Sequence, residues 1–338
     1  MDDMKKALLT LAEGLPEEAW LKEHLSELSA KETIQLTAAV MKDAPKTGKD
    51  ALECVLTAPA YEVWYPAGNY AELGSHYLKH EAEIPKDLLP YMDLDALGQL
   101  CEDENPGVFV GDCYVVYPNQ ASMQMNRITV HDMDWSVKLK LSSSEKPDGV
   151  WLRLPDCSML DDGAPADETA LALHTLGVTE IQDCHLLEAK CVLPQAGDLM
   201  AQYSDIPNLI YDGNDLGFVL DEQGQGMPDF MERFTSALDF EGCCTLKLVL
   251  DIAQNLHCYD YIKADKVETY AREELKKAGV DLSSAPLADA CIDYQEYGAD
   301  LLDEQEYQLT ADGSGYIRRN EQEFFHDRTD PEWKMNMC

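Results

Sequence analysis

Four stretches of this 338-residue chain contain no lysine or arginine: residues 87–126, 154–189, 191–232 and 279–317. They hold 7, 8, 8 and 9 acidic residues, 32 in all, over 157 positions where the chain's average would place about twelve basic residues. The other 181 residues carry all 26 Lys and Arg and the remaining 32 acids, so the windows contribute most of the net charge of −38. Like charges packed together oppose compaction. Such a chain must therefore fold so that its carboxylates spread over surface. The balance excludes a sequence-independent grip on nucleic acid or anionic lipid, because both require cations against phosphates. Two readings remain: a solvated acidic surface, or a field that is itself used. Duplex DNA carries one charge per about 1.7 Å of axis, so 38 net charges correspond to about 65 Å of duplex.

At 45% hydrophobic residues the chain has enough apolar side chain for real cores. No apolar run reaches the roughly 18 to 20 residues of a membrane span, and the start MDDMKKALLTLAEG lacks the long apolar region of a signal peptide. The eleven cysteines are scattered, odd in number and never spaced as CxxC. They read as reduced thiols, and the expected location is cytoplasmic.

The local patterns predict an α+β fold: an elongated, multi-domain chain of small mixed units and helical segments, with an extra, mainly helical N-terminal region. Ser29 with Glu32 fits a capping box, and YEVWYP (61–66) reads as extended. Helices are predicted over 69–81 and 93–103, then a hairpin around Gly111-Asp112. Val137, Leu139 and Leu141 alternate with Lys138 and Lys140 as a half-buried strand, and VWLRLP (150–155) is its neighbour. A helix from Pro165 to Gly177 and an extended stretch over 178–193 complete a β-β-α-β unit. Residues 195–256 read as helical, with Pro207 and Pro228 near helix starts. A strand (258–262), helices over 265–278 and 286–301, and a hairpin around Asp312-Gly313 follow. The expected segments are 1–120, 126–194, 195–256 and 257–325, with a tail over 326–338.

One internal echo appears at an offset of 200. Leu56, Tyr61, Tyr70, Ala71, Asp93 and Gly98 recur as Leu256, Tyr261, Tyr270, Ala271, Asp293 and Gly298. Both windows read as strand, helix, short helix and hairpin, so residues 1–120 are a candidate degenerate copy of the closing part of the chain.

No catalytic constellation emerges. There is no Walker loop, HExxH or GxSxG, and GQGMPD (224–229) is not a dinucleotide fingerprint. DGNDLGFVLDEQ (212–223) has Asp212, Asn214 and Gly217 in EF-hand positions, but Leu216 and Gln223 stand where oxygen ligands are needed. His76 and His80 have helical metal-ligand spacing without a third ligand. His131-Asp132 and Cys184-His185 are adjacent pairs, which rarely face each other. The expectation is no cofactor, no metal and no enzymatic activity; a metal-dependent hydrolase is the remaining enzymatic alternative.

From about residue 135 to 325 the chain resembles the ArdA antirestriction proteins of conjugative elements. The closing run AREELKKAG (271–279), CIDYQEYGADL (291–301) and a hairpin carries most of the likeness, through Ile292, Asp293, Tyr294, Gln295, Tyr297, Gly298 and Asp300. DGVWLRLP (148–155) resembles the family's opening strands. The resemblance implies a non-catalytic mimic of bent DNA that occupies the DNA channel of type I restriction–modification enzymes. It also implies a homodimer, with the antirestriction segment placed by position at Asp265, Glu268, Tyr270, Glu273, Glu274 and Gly279. The mimic surface is expected on Asp198, Asp205, Asp212, Asp215, Asp221, Glu222, Asp289, Asp293, Glu296, Asp300, Asp303, Glu304 and Glu306. Family members are about half this length, and residues 1–120 have no clear place in the pattern. The alternative partner class is another basic DNA-binding protein, such as a CRISPR effector, recombinase or relaxase.

Overall fold

The computed structural model describes residues 2–80, 91–118, 136–156, 168–226, 229–280 and 291–325. The fold is α+β, with thirteen α-helices and three separate three-stranded sheets among the described residues. The chain divides into two compact units, Met1–Val192 with Tyr203–Ile210, and Leu193–Gln202 with Tyr211–Cys338. The expected boundary near residue 120 does not separate compact bodies, because segments 1–120 and 126–194 share the first unit. Residues 121–125, between the first two expected segments, lie outside the described residues, as does the tail over 326–338.

In the first unit four helices lead: α1 (Asp2–Leu11), α2 (Glu18–Ser26), α3 (Ala30–Asp43) and α4 (Gly48–Thr57). The box at Ser29 is formed in full. The Glu32 amide donates to Ser29 Oγ at 3.1 Å, and the Ser29 amide donates to Glu32 Oε2 at 2.6 Å. Thr47 and Asp50 make the same reciprocal cap on α4. Each cap satisfies two of the amides that a helix start leaves unpaired.

A β-α-α-β-β module follows: β1 (Glu62–Trp64), α5 (Tyr70–His80), α6 (Leu94–Glu104), β2 (Gly107–Val110) and β3 (Cys113–Val116). The sheet is antiparallel in the order β1-β3-β2. Its core gathers Trp64, Ala67, Leu73, Cys101 and Tyr114.

The middle sheet pairs β4 (Val137–Ser142) with β5 (Val150–Leu154) and β6 (His185–Cys191), all antiparallel, in the order β5-β4-β6. The period-two pattern puts Val137, Leu139 and Leu141 in the core, where they are at most 1% exposed. Helix α7 (Glu168–Leu176) ends at Gly177, whose φ of +71° suits a left-handed C′ residue. The expected extended run 178–193 is interrupted, because Ile181–Asp183 make a 3-10 turn and only His185–Cys191 pair as strand.

The second unit holds α8 (Pro194–Met200), most of α9 (Ile206–Gly226), α10 (Phe230–Phe240) and α11 (Leu246–Gln254). It closes with β7 (Tyr259–Lys263), α12 (Val267–Lys277), α13 (Tyr294–Glu304), β8 (Gln308–Leu309) and β9 (Gly315–Arg319). The helix predicted over 286–301 is α13, shifted towards the C-terminus. Asp293 caps it by accepting the Glu296 amide at 3.0 Å, and residues 286–290 lie outside the described residues. The second sheet order, β7-β9-β8, repeats the topology of β1-β3-β2 element for element. Helices α6 and α13 are both 11 residues long and stand 200 positions apart, as Leu94–Glu104 and Tyr294–Glu304.

Candidate anionic surface

Helix α13 sorts its residues by helical period. Tyr294, Gly298 and Leu302 recur every four positions and are buried. Gly298 is the contact point with α12: a Cβ there would sit 2.7 Å from Val267 Cγ1 and 2.8 Å from the Val267 carbonyl oxygen. Leu302 joins Val267 and Tyr307 in the module's core. The stretch ends in a Schellman turn, with the Tyr307 amide donating to the Leu302 carbonyl at 2.9 Å. Its left-handed position is filled by Glu306, with φ of +64° where glycine is usual.

The side away from that face carries the acids. Asp293, Glu296, Asp300 and Asp303 follow a 3-4-3 spacing and Glu304 lies four after Asp300, so all five, each exposed, fall on one stripe away from the buried face. At 1.5 Å of rise per residue they average about one charge per 4 Å, close to the 3.4 Å per charge of a single DNA strand. Among the described residues no Lys or Arg forms an ion pair with them. Glu306 is exposed just beyond the helix end. Asp289 lies outside the described residues.

The neighbouring α12 differs in kind. Glu268 pairs with Arg272 at 3.2 Å, and Glu274 with Lys277 at 2.6 Å. The Arg272 guanidinium sits 3.7 Å from the Tyr294 ring centroid, and Tyr270 Oη donates to Gln305 Oε1 at 2.6 Å. Asp265 and Glu273 are exposed, and Gly279 takes φ of +82° in a second Schellman turn, where the Val280 amide donates to the Leu275 carbonyl. This helix therefore carries compensated charge and braces α13 from behind.

The acids expected over 198–222 are not all exposed. Asp212 is buried at 7% exposure and Asp215 half-buried, because α9 turns that side inward together with Asn214. Asp198, Asp205 and Asp221 are exposed on α8, before α9 and on α9, and Asp205 is engaged by the Asn208 amide and side chain. Glu222 is on α9, with its side chain outside the description. Residues 212–223, which matched part of a calcium loop, are all helical within α9.

The first module supplies acids that the sequence did not single out. Asp93 caps α6 by accepting the Ala96 amide at 3.0 Å, and Asp93, Asp95, Asp103 and Glu104 are exposed. Glu102 is half-buried and accepts from Tyr70 Oη at 2.6 Å. The offset of 200 and the basic-free window over 87–126 both pointed to this helix. Asp112 belongs to a different arrangement, paired with His174 at 3.0 Å.

The side chains weighed for chemistry have structural settings. His76 is buried and stacks on Trp64 at 5.4 Å. Burial raises the Cys113 thiol to about 12 and the Cys54 thiol to about 11, so neither is a nucleophile at neutral pH. Cys184 is buried while His185 is exposed. His131-Asp132 lies outside the described residues. Among the described residues no group of three or more His, Cys, Asp or Glu is placed to hold a metal ion, and no helix is long and apolar enough to cross a membrane. Comparison with family models, curated proteins and solved structures returns no match to this chain.

Proposed function

We propose that this protein is a non-catalytic DNA mimic, an ArdA-like antirestriction protein whose carboxylates stand in for phosphates in the DNA channel of a type I restriction–modification enzyme. The supporting observation is the α13 stripe: five exposed acids at strand-like charge spacing, on a helix whose opposite side is committed to the core. The same topology and the same helix recur at α6, so each β-α-α-β-β module presents one acidic helix. Attraction to a basic channel would be long-range, fast and strongly dependent on salt. The charge-compensated α12 suits contact with a second copy of the chain better than contact with a cationic channel.

The test is titration of the protein into a purified type I restriction enzyme, reading DNA binding and cleavage at low and high salt. The expected outcome is stoichiometric inhibition that fades as salt rises. No inhibition at any ratio would remove this target, and competition against other basic DNA-binding proteins would then identify the partner.

A further inference from the structure

The first unit contains a partly buried ionic layer. On one face of the middle sheet, Arg153 of β5, Lys138 of β4 and Lys190 of β6 stand directly across from one another. Like charges in cross-strand register repel, so this row needs anions against it. Helices α2 and α3 provide them. Glu27, just after α2, pairs with Lys190, and Glu32 Oε1 accepts from Arg153 Nη1 at 2.9 Å. Both oxygens of Glu32 are then committed, one to Arg153 and one to the Ser29 amide. Lys138 is 2% exposed and Glu32 5%.

A further carboxylate enters this layer. Glu168, the first residue of α7, is 8% exposed. Its Oε2 is buried without a hydrogen-bond partner. The charged groups that act on it are Lys31 and Glu32 from α3 and Arg153 from β5; Lys138 and His24 act on Glu32. Asp156, beyond β5, is engaged separately by the Thr169 amide and hydroxyl, each at 2.9 Å. An ionised carboxylate with an unsatisfied buried oxygen is costly, and a neutral carboxyl is much less so.

We propose that the Glu32–Glu168 pair is a proton-linked latch: Glu168 carries a proton on its buried, otherwise unpartnered carboxyl while Glu32 stays ionised against Arg153, and that proton secures α7 against α3 and β5. Burial, reinforced by the Glu32 charge and only partly offset by Lys31 and Arg153, raises Glu168 from 4.5 to about 7. Glu32 is also desolvated, but Arg153, Lys138, the Ser29 amide and His24 outweigh this and hold it below the ordinary carboxylate range. For Glu168 the folded state binds the proton more tightly than the unfolded chain. The penalty is therefore absent below about 4.5, grows as pH rises, and is complete above about 7. The latch is independent of what the acidic helices bind.

The experiment is amide hydrogen exchange on the full chain at pH 5.5 and pH 8, corrected for intrinsic rates and read over residues 168–176 and 30–43. Protection in these helices should fall roughly twentyfold between the two conditions. In Glu168→Gln, which keeps the shape and cannot ionise, protection should be high at both. Equal protection of the wild-type helices at the two pH values would overturn the proposal, as would a Glu168→Gln variant with the wild-type pH dependence. If that variant does not fold, the wild-type profile and a carbon-13 carboxyl titration decide. A glutamate midpoint near neutrality supports the latch, and midpoints all below about 5.5 refute it.

Discussion

At the scale of single residues, two glycines set how closely the paired helices of each module approach. Gly298 brings α13 onto Val267, and Gly98 brings α6 onto the Tyr70 carbonyl. Both obstructions include backbone atoms, which cannot rotate aside. Gly298→Ala is therefore expected to destabilise the second unit by about 1–3 kcal/mol, since an added methyl in a filled contact forces the helices apart. Denaturant unfolding of the full chain would measure this, and an unchanged midpoint would show that the helix pair is looser than its geometry. Gly98→Ala should be at least as severe. These two glycines were legible as recurring identities, but their reason was not. Spacing along the chain shows that a residue repeats; only the crossing of two helices shows what a side chain would strike. Asp212 illustrates the reverse case. As a letter it was another acid in a basic-free window, and packing put it inside.

At the scale of elements, α13 is the clearest agreement between pattern and fold. The acids expected at Glu296, Asp300, Asp303 and Glu304 are exposed along it, because a helix converts sequence spacing directly into faces, whereas its start at an Asp293 cap rather than near residue 286 was not read from the sequence. Replacing Glu296, Asp300, Asp303 and Glu304 together by their amides should leave the fold at least as stable, because all four are exposed and repel one another. Under the proposed function the same variant should weaken target binding by tenfold or more and flatten its salt dependence. Undiminished affinity, measured by competition with DNA, would take this stripe out of the mechanism. Helix α12 was legible as a helix but not in its role. The i,i+4 and i,i+3 ion pairs are implied by spacing, whereas Arg272 over the Tyr294 ring depends on α13 being its neighbour.

At the scale of the whole molecule, 64 acids against 26 bases mean that self-repulsion opposes folding in both units. Added salt should raise the thermal midpoint as the Debye length falls from about 30 Å at 0.01 M to about 10 Å at 0.1 M, a steady fall being the contrary result. The partly buried layer around Arg153, Lys138 and Lys190 is screened less than the surface acids, so it should not reverse the trend. The α+β class, the hairpins, the Ser29 cap and the position of most helices were determined by sequence alone, because they rest on period, turn residues and contacts a few positions apart. The tertiary structure decided the rest. It joined residues 1–120 and 126–194 in one compact unit, turned the weak echo into two modules of identical topology, and placed Glu168 beside Glu32 across 136 positions of chain. The physical reason is common to all three. Burial, desolvation and strand order depend on which distant segments meet, and no local pattern records that.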